Sequence, residues 1–168
     1  MADVNSALAG NRDAIRELVA AAEKSGAAWT VPRAPGKWSP SQVVEHVALA
    51  LEESANVVSG APSKFPTLPR FVRPLVRGLF FNRVLQKKAF PKAKTNKAFN
   101  PASGPATPAA ARARLEAAMV RFDEACRASA ANGTKVDSSL FGAVSVEDYA
   151  TFQELDTRHH CKQMSGAV

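Results

Sequence analysis

The sequence predicts an all-α four-helix bundle, and three observations carry that prediction. The hydrophobic fraction is an ordinary 46%, but its excess is alanine, the strongest helix former, rather than valine or isoleucine. Four long stretches repeat apolar residues at spacings of three and four, and none of strand period competes. A proline-interrupted stretch between the second and third of them supplies one long crossover. The 168 residues suit a single domain over 1–168, with 61–106 as the crossover insertion.

The first helix is expected from about Val4 to Ser25, on the stripe of Leu8, Ile15, Leu18, Val19 and Ala22, with Gly26 ending it. Trp29-Thr30-Val31-Pro32 through Pro35-Gly36 reads as an ordered loop. Ser39-Pro40-Ser41-Gln42 then starts the second helix. Ser39 caps it, Pro40 suits its first position, and Gln42 reaches back as in a capping box. This helix runs through Val43, Val47, Ala50, Leu51 and Val57 to Gly60.

Prolines at 62, 66, 69, 74, 91, 101 and 105 break up the crossover. Within it Phe71, Val72, Leu75, Val76, Leu79, Phe80, Val84 and Leu85 keep a helical period, predicting a basic amphipathic helix from about Pro69 to Lys88. Its stripe of Phe71, Leu75, Leu79 and Phe80 should pack on the bundle or on a second subunit of a homodimer, leaving the arginines solvated. Thr107-Pro108 restarts helix, with Leu115, Met119, Phe122 and Cys126 as its buried stripe and Asn132-Gly133 as its stop. Ser145-Val146-Glu147-Asp148 opens the last helix, which runs to about Met164. Tyr149, Phe152, Leu155 and His159 lie along one edge of it, and Gln153, Asp156 and His160 along the next.

Composition narrows the setting. Cys126 and Cys161 have no ligand spacing and fit a reducing compartment. The N-terminus has no basic and apolar leader pattern, and no run approaches the roughly 20 apolar residues of a membrane span. A cytoplasmic location is expected. The net charge of +7 is uneven. No acidic residue falls between Glu53 and Glu116, while Lys64, Arg70, Arg73, Arg77, Arg83, Lys87, Lys88, Lys92, Lys94 and Lys97 crowd that interval. It is either a solvated basic face or one turned to an anionic partner.

The three histidines carry the chemistry. Asp156 and His160 are four apart, one turn apart on one helix face, so an oxygen and a nitrogen donor can grip one cation. A third ligand from another helix would complete a site with an open position. In isolation such a pair is more often a surface contact, and a lone His46 more often a hydrogen-bonded core residue. His159 points about a quarter turn from His160, as a pocket residue or a packing one. Gln163 hydrogen-bonds a ligand or caps the final turn. Cys161 faces elsewhere on the helix, and Trp38 is read as a core anchor. Glu53 either orients His46 or is solvated.

Gly36-Lys37-Trp38-Ser39-Pro40, Val43-Val44-Glu45-His46, Leu140-Phe141-Gly142 and Asp156-Thr157-Arg158-His159-His160-Cys161-Lys162-Gln163, in that order, resemble the DinB-like superfamily of four-helix metalloproteins. The resemblance spans about Trp29 to Gln163 and is loose in the crossover. It implies a divalent-metal site of His46, Asp156 and His160. Asp156 departs from the histidine usual there, which moves the site toward harder metals among Zn²⁺, Ni²⁺, Mn²⁺ and Fe²⁺.

Two functions follow as expectations. In the first, the chain is a metal-dependent enzyme, as the resemblance to thiol-dependent S-transferases and hydrolases implies, acting on a small molecule with a low-molecular-weight thiol as a further cofactor. In the second, it is a non-catalytic, stress-associated binding module using the basic amphipathic segment. That segment would touch nucleic acid or a membrane surface; neither is the expected partner, and nucleic acid is further disfavoured because the segment's aromatics sit on the apolar stripe rather than exposed among the cations.

Overall fold

The four expected apolar stripes become four long helices that share one core. A computed structural model describes residues 3–91 and 97–165; Lys92 and Lys94 of the basic interval lie outside the described residues. Helix α1 spans Val4–Lys24 and buries Leu8, Ile15, Leu18, Val19 and Ala22. Helix α2 spans Pro40–Ser59 and opens with the anticipated capping box. The Gln42 amide donates to Ser39 Oγ at 3.3 Å and the Ser39 amide to Gln42 Oε1 at 3.0 Å. Gly60 ends it at φ 74°, where a side chain would be strained.

The crossover contains helix α3, Arg73–Val76, a π-helical turn over Arg77–Phe81, and helix α4, Asn82–Lys87. Helix α5 spans Pro108–Ala131, capped by Thr107 Oγ1 accepting from the Ala110 amide. Helix α6 spans Val146–Ser165, with Ser145 Oγ accepting from the Asp148 amide. Helix α1 packs on α5 and α6, and α2 on α5 and α6. Leu8, Leu18, Val44, Leu51, Leu115 and Phe122 fill the space between them. Arg114 of α5 clamps α2 from outside by donating to both Glu45 and Glu52. No described helix is long and apolar enough to cross a membrane.

Two expectations are corrected. A small antiparallel hairpin, β1 (Val136–Ser138) and β2 (Gly142–Val144), precedes α6, with Val136 opposite Val144. Three-residue strands are too short to register as a period. The turn is held instead by Ser138 Oγ, which accepts from the Leu140 and Phe141 amides, and by Gly142 at φ 71°.

The second correction concerns the crossover's apolar row. Phe71, Leu75 and Leu79 are 84%, 61% and 66% exposed, so of the two surfaces expected to cover this stripe the bundle does not, apart from half-buried Phe80. Phe81 and Val84 are buried instead, with Val76, Phe80 and Leu85 packed beside them. Both rows are apolar at four-residue spacing, and such a row drifts by about 40° per turn around an ordinary α-helix. The wider turn at Arg77–Phe81 absorbs that drift and keeps residues 76, 80, 81 and 84 on the core. Two of the arginines are also not simply solvated. Arg73 donates to the Leu68 carbonyl, and Arg77 to the Ala143 carbonyl of the hairpin.

Candidate metal centre

His46 lies in the middle of α2, and Asp156 and His160 one turn apart on α6, where the two helices pack together. One donor atom from each of the three lies within 4.8 Å of the others. Among the described residues this is the one group of three or more such side chains that could hold a metal ion. His46 and His160 are buried, and Asp156 is partly exposed. Their rings meet edge to face with centroids 4.5 Å apart.

Each imidazole is oriented through its second nitrogen. His46 Nδ1–H donates to the Phe99 carbonyl at 2.7 Å, and His160 Nδ1–H to Gln163 Oε1 at 2.9 Å. Both Nε2 atoms are thereby left to face the centre, the arrangement that holds metal-binding histidines in position. His160 Nε2 lies 3.5 Å from Asp156 Oδ1. Two donors about 2.1 Å from one tetrahedral ion stand roughly 3.4 Å apart, so small side-chain rotations suffice to close the set.

The electrostatics follow from this packing. Burial, reinforced by the neighbouring His160, lowers the His46 pKa to about 4, so it presents a neutral ring at neutral pH. Burial opposes charge on Asp156 and His160 as well, but their mutual attraction outweighs it. Asp156 is held below the usual carboxylate range and His160 above the usual imidazole range.

The centre opens onto a cavity of about 280 Å³ walled mainly by aromatic side chains of the crossover, the hairpin and α6. A larger groove of about 570 Å³ lies between α1 and α5. Its rim charges pair with one another, Arg112 with Glu23 and Arg12 with Asp123, and none of its lining residues carries an unpartnered buried polar atom. The candidate metal donors line the smaller cavity instead.

The sequence profile of a family described as a protein of unknown function (DUF1569) matches residues 6–166, nearly the whole described chain. The chain belongs to DUF1569. No curated protein and no solved structure matches it. The family match brings no ligand or reaction with it, so the reading of this DUF1569 chain rests on the centre itself.

His159 lines the cavity, and its Nε2 accepts from Gln163 Nε2–H at 3.1 Å, so one glutamine fixes both terminal histidines. Glu53 takes neither expected role. It is buried and accepts from the Lys64 amide at 2.8 Å and from Asn56, tying the start of the crossover to α2. Trp38 lies against His46 at 4.7 Å and donates to Asn100 Oδ1, covering one side of the centre. Cys161 stands apart beside Glu17 and Arg158.

Sequence reasoning missed Phe99 as the partner of His46, since a backbone carbonyl leaves no side-chain signature. It set Gln153 on the edge of Asp156 and His160 but gave it no role, although the 3-4-3 spacing of Gln153, Asp156, His160 and Gln163 along α6 was a signal for one.

Proposed function

We propose that this chain is a metal-dependent enzyme acting on a small organic substrate, a thiol-dependent S-transferase or a hydrolase with a DinB-like bundle. One observation carries the reading: two imidazole Nε2 atoms, each oriented through its Nδ1, and a carboxylate converge at the end of an aromatic cavity. A surface Asp–His pair would need neither the buried third donor nor the cavity. The two-nitrogen, one-oxygen donor set suits Zn²⁺, Ni²⁺, Mn²⁺ or Fe²⁺. Such an ion supplies Lewis-acid polarisation and lowers the pKa of a coordinated thiol or water.

The chain's own residues do the rest. Phe99 and Gln163 hold the two imidazoles in register, and Trp38 shields His46 from bulk water. The aromatic walls bind the substrate and exclude solvent from it. The cations of the crossover would attract an anionic thiol. Two free cysteines, one buried, support the reducing, cytoplasmic setting this reading assumes.

Elemental analysis after loading each metal and dialysing tests the reading, followed by thiol-transfer and hydrolysis assays. The wild type should retain about one ion, His160→Ala none, and His159→Ala nearly the full amount. Equal, negligible retention by all three would remove the metal and the enzyme together.

The exposed row of Phe71, Leu75 and Leu79 favours a second reading, in which the crossover docks on an anionic lipid surface. Exposed Arg83 and Lys87 continue that row at the same spacing, and no acidic residue interrupts the segment. Two copies of this face would oppose cation to cation, which disfavours a dimer through it. Sedimentation with phosphatidylserine vesicles should deplete the protein from solution, and Leu75→Ser with Leu79→Ser should prevent that. Equal recovery from neutral and anionic vesicles would end this reading.

A further inference from the structure

Gln153 is 4% exposed and lines the cavity beside the triad. Its Oε1 accepts from Ser54 Oγ at 2.9 Å. Its Nε2 has no partner, and apart from Asn11 Oδ1 it is the one such buried side-chain atom among the described residues. An amide donor kept from water and left unpaired is costly, and a fold rarely retains one without a use. Ser54 holds the oxygen end of the amide, so the nitrogen end is the one available to a ligand.

The walls say what kind of ligand this is. Phe65, Phe90, Phe99, Phe141 and Phe152 line the cavity, with Phe65 against Phe99 at 4.6 Å and Phe90 against Phe152 at 4.7 Å. Faces and edges of this kind take a flat apolar ring. A volume of about 280 Å³ is nearly twice the roughly 150 Å³ in which benzene binds, enough for one ring with substituents. Gln153 precedes Asp156 by three residues and His160 by seven, about 5 and 10 Å along the helix axis. A single ring spans the distance from its amide to the triad.

We propose that Gln153 is a specificity residue that donates from Nε2 to an acceptor oxygen of a small aromatic substrate, whose other end lies at the His46–Asp156–His160 centre. This deepens the metal-dependent reading by naming its substrate class, and rests on that reading only for the reacting end.

Acetophenone and α-methylstyrene, near-isosteres that differ by a carbonyl against a methylidene, are the probes. Their affinities for the full chain are measured by ligand-observed NMR with Zn²⁺ present and after EDTA treatment. The ketone loses more hydration than the alkene on entering, so the readout is how their affinity ratio changes between proteins. The ratio should favour acetophenone in wild type, relative to Gln153→Leu, by roughly fivefold to tenfold, the worth of one neutral hydrogen bond.

A shift that survives EDTA supports the assignment, and does so even if no metal is ever retained, which would sink the metal reading alone. One seen only with Zn²⁺ assigns the oxygen to the ion and overturns the proposal while sparing the centre. An unchanged ratio also overturns it. Should Gln153→Leu fail to fold, the wild-type Gln153 side-chain amide resonance decides. It should move with acetophenone and not with α-methylstyrene, and no movement overturns the proposal.

Discussion

His46 is neutral for a physical reason that also sets how the protein responds to acid. Its folded pKa of about 4 lies below the unfolded value near 6.5, so between those limits the unfolded chain binds the extra proton. Stability from this residue therefore falls as pH drops through that window, by up to about 3 kcal/mol. His160 acts in the opposite sense, since its raised pKa gives a contribution full below about 6.5 and lost as pH rises through the folded value. Metal-free wild type and His46→Gln share that second effect. Urea unfolding of both from pH 7 to pH 4 should show wild type losing stability relative to the variant; parallel curves would refute the assignment. Gln163→Leu tests an orienting residue, because freeing the His160 imidazole should weaken metal binding roughly 10- to 100-fold without abolishing it. Asp156 and His160 were legible in the sequence as a pair from their chemistry and spacing, whereas His46 joined them through the family resemblance. The supports were not legible, because a carbonyl from a distant turn holds one ring and a glutamine with two open roles holds the other.

At the scale of the elements, the long helices were legible wherever caps and period agreed. Ser39-Pro40 and Thr107-Pro108 start helices as read, and Gly60 and Gly133 lie past their ends at positive φ. The crossover was legible as helix but not in its facing, since two apolar rows compete and a π turn decides between them. Its return leg depends on a close approach to α2. Trp29 Nε1 and Ser41 Oγ both donate to the Pro105 carbonyl at 2.8 Å, and a Cβ on Gly104 would stand 2.1 Å from the Ser41 carbonyl oxygen. The two nearest atoms, the Ser41 carbonyl oxygen and carbon, are backbone and cannot swing aside as a flexible side chain would. Gly104→Ala should therefore destabilise the fold by about 1–3 kcal/mol, the usual scale of overpacking. Thermal unfolding checks this, and an unchanged midpoint would mean that the Pro105 contacts are not fixed. The same shift would disturb Phe99, five residues upstream, and through it His46.

The whole molecule divides its work between a packed frame and a centre that joins two of its members. Helix α2 leans chiefly on α5, and α1 on α6, while the donors come from α2 and α6. That division was only half visible beforehand: the residues named the helices that must meet, but the cavity walls come from a crossover whose facing was misread. An ion held by His46, Asp156 and His160 would tie the two helix pairs together, and would bind the folded chain far better than the unfolded one. Binding of that kind stabilises in proportion to the logarithm of free ligand over Kd, about 2.7 kcal/mol at a hundredfold excess. For a chain of this length that corresponds to a rise in Tm of roughly 5–10 °C. Calorimetry with increasing Zn²⁺ should show Tm climbing steadily for wild type and His159→Ala, and staying flat for His46→Gln and His160→Ala. The climb should be smaller at pH 6 than at pH 7.5, because His160 holds its proton more tightly than an ordinary imidazole and the ion must displace it. A rise shared equally by the ligand variants would place the ion elsewhere on the molecule, and the bridge between α2 and α6 would lose its role.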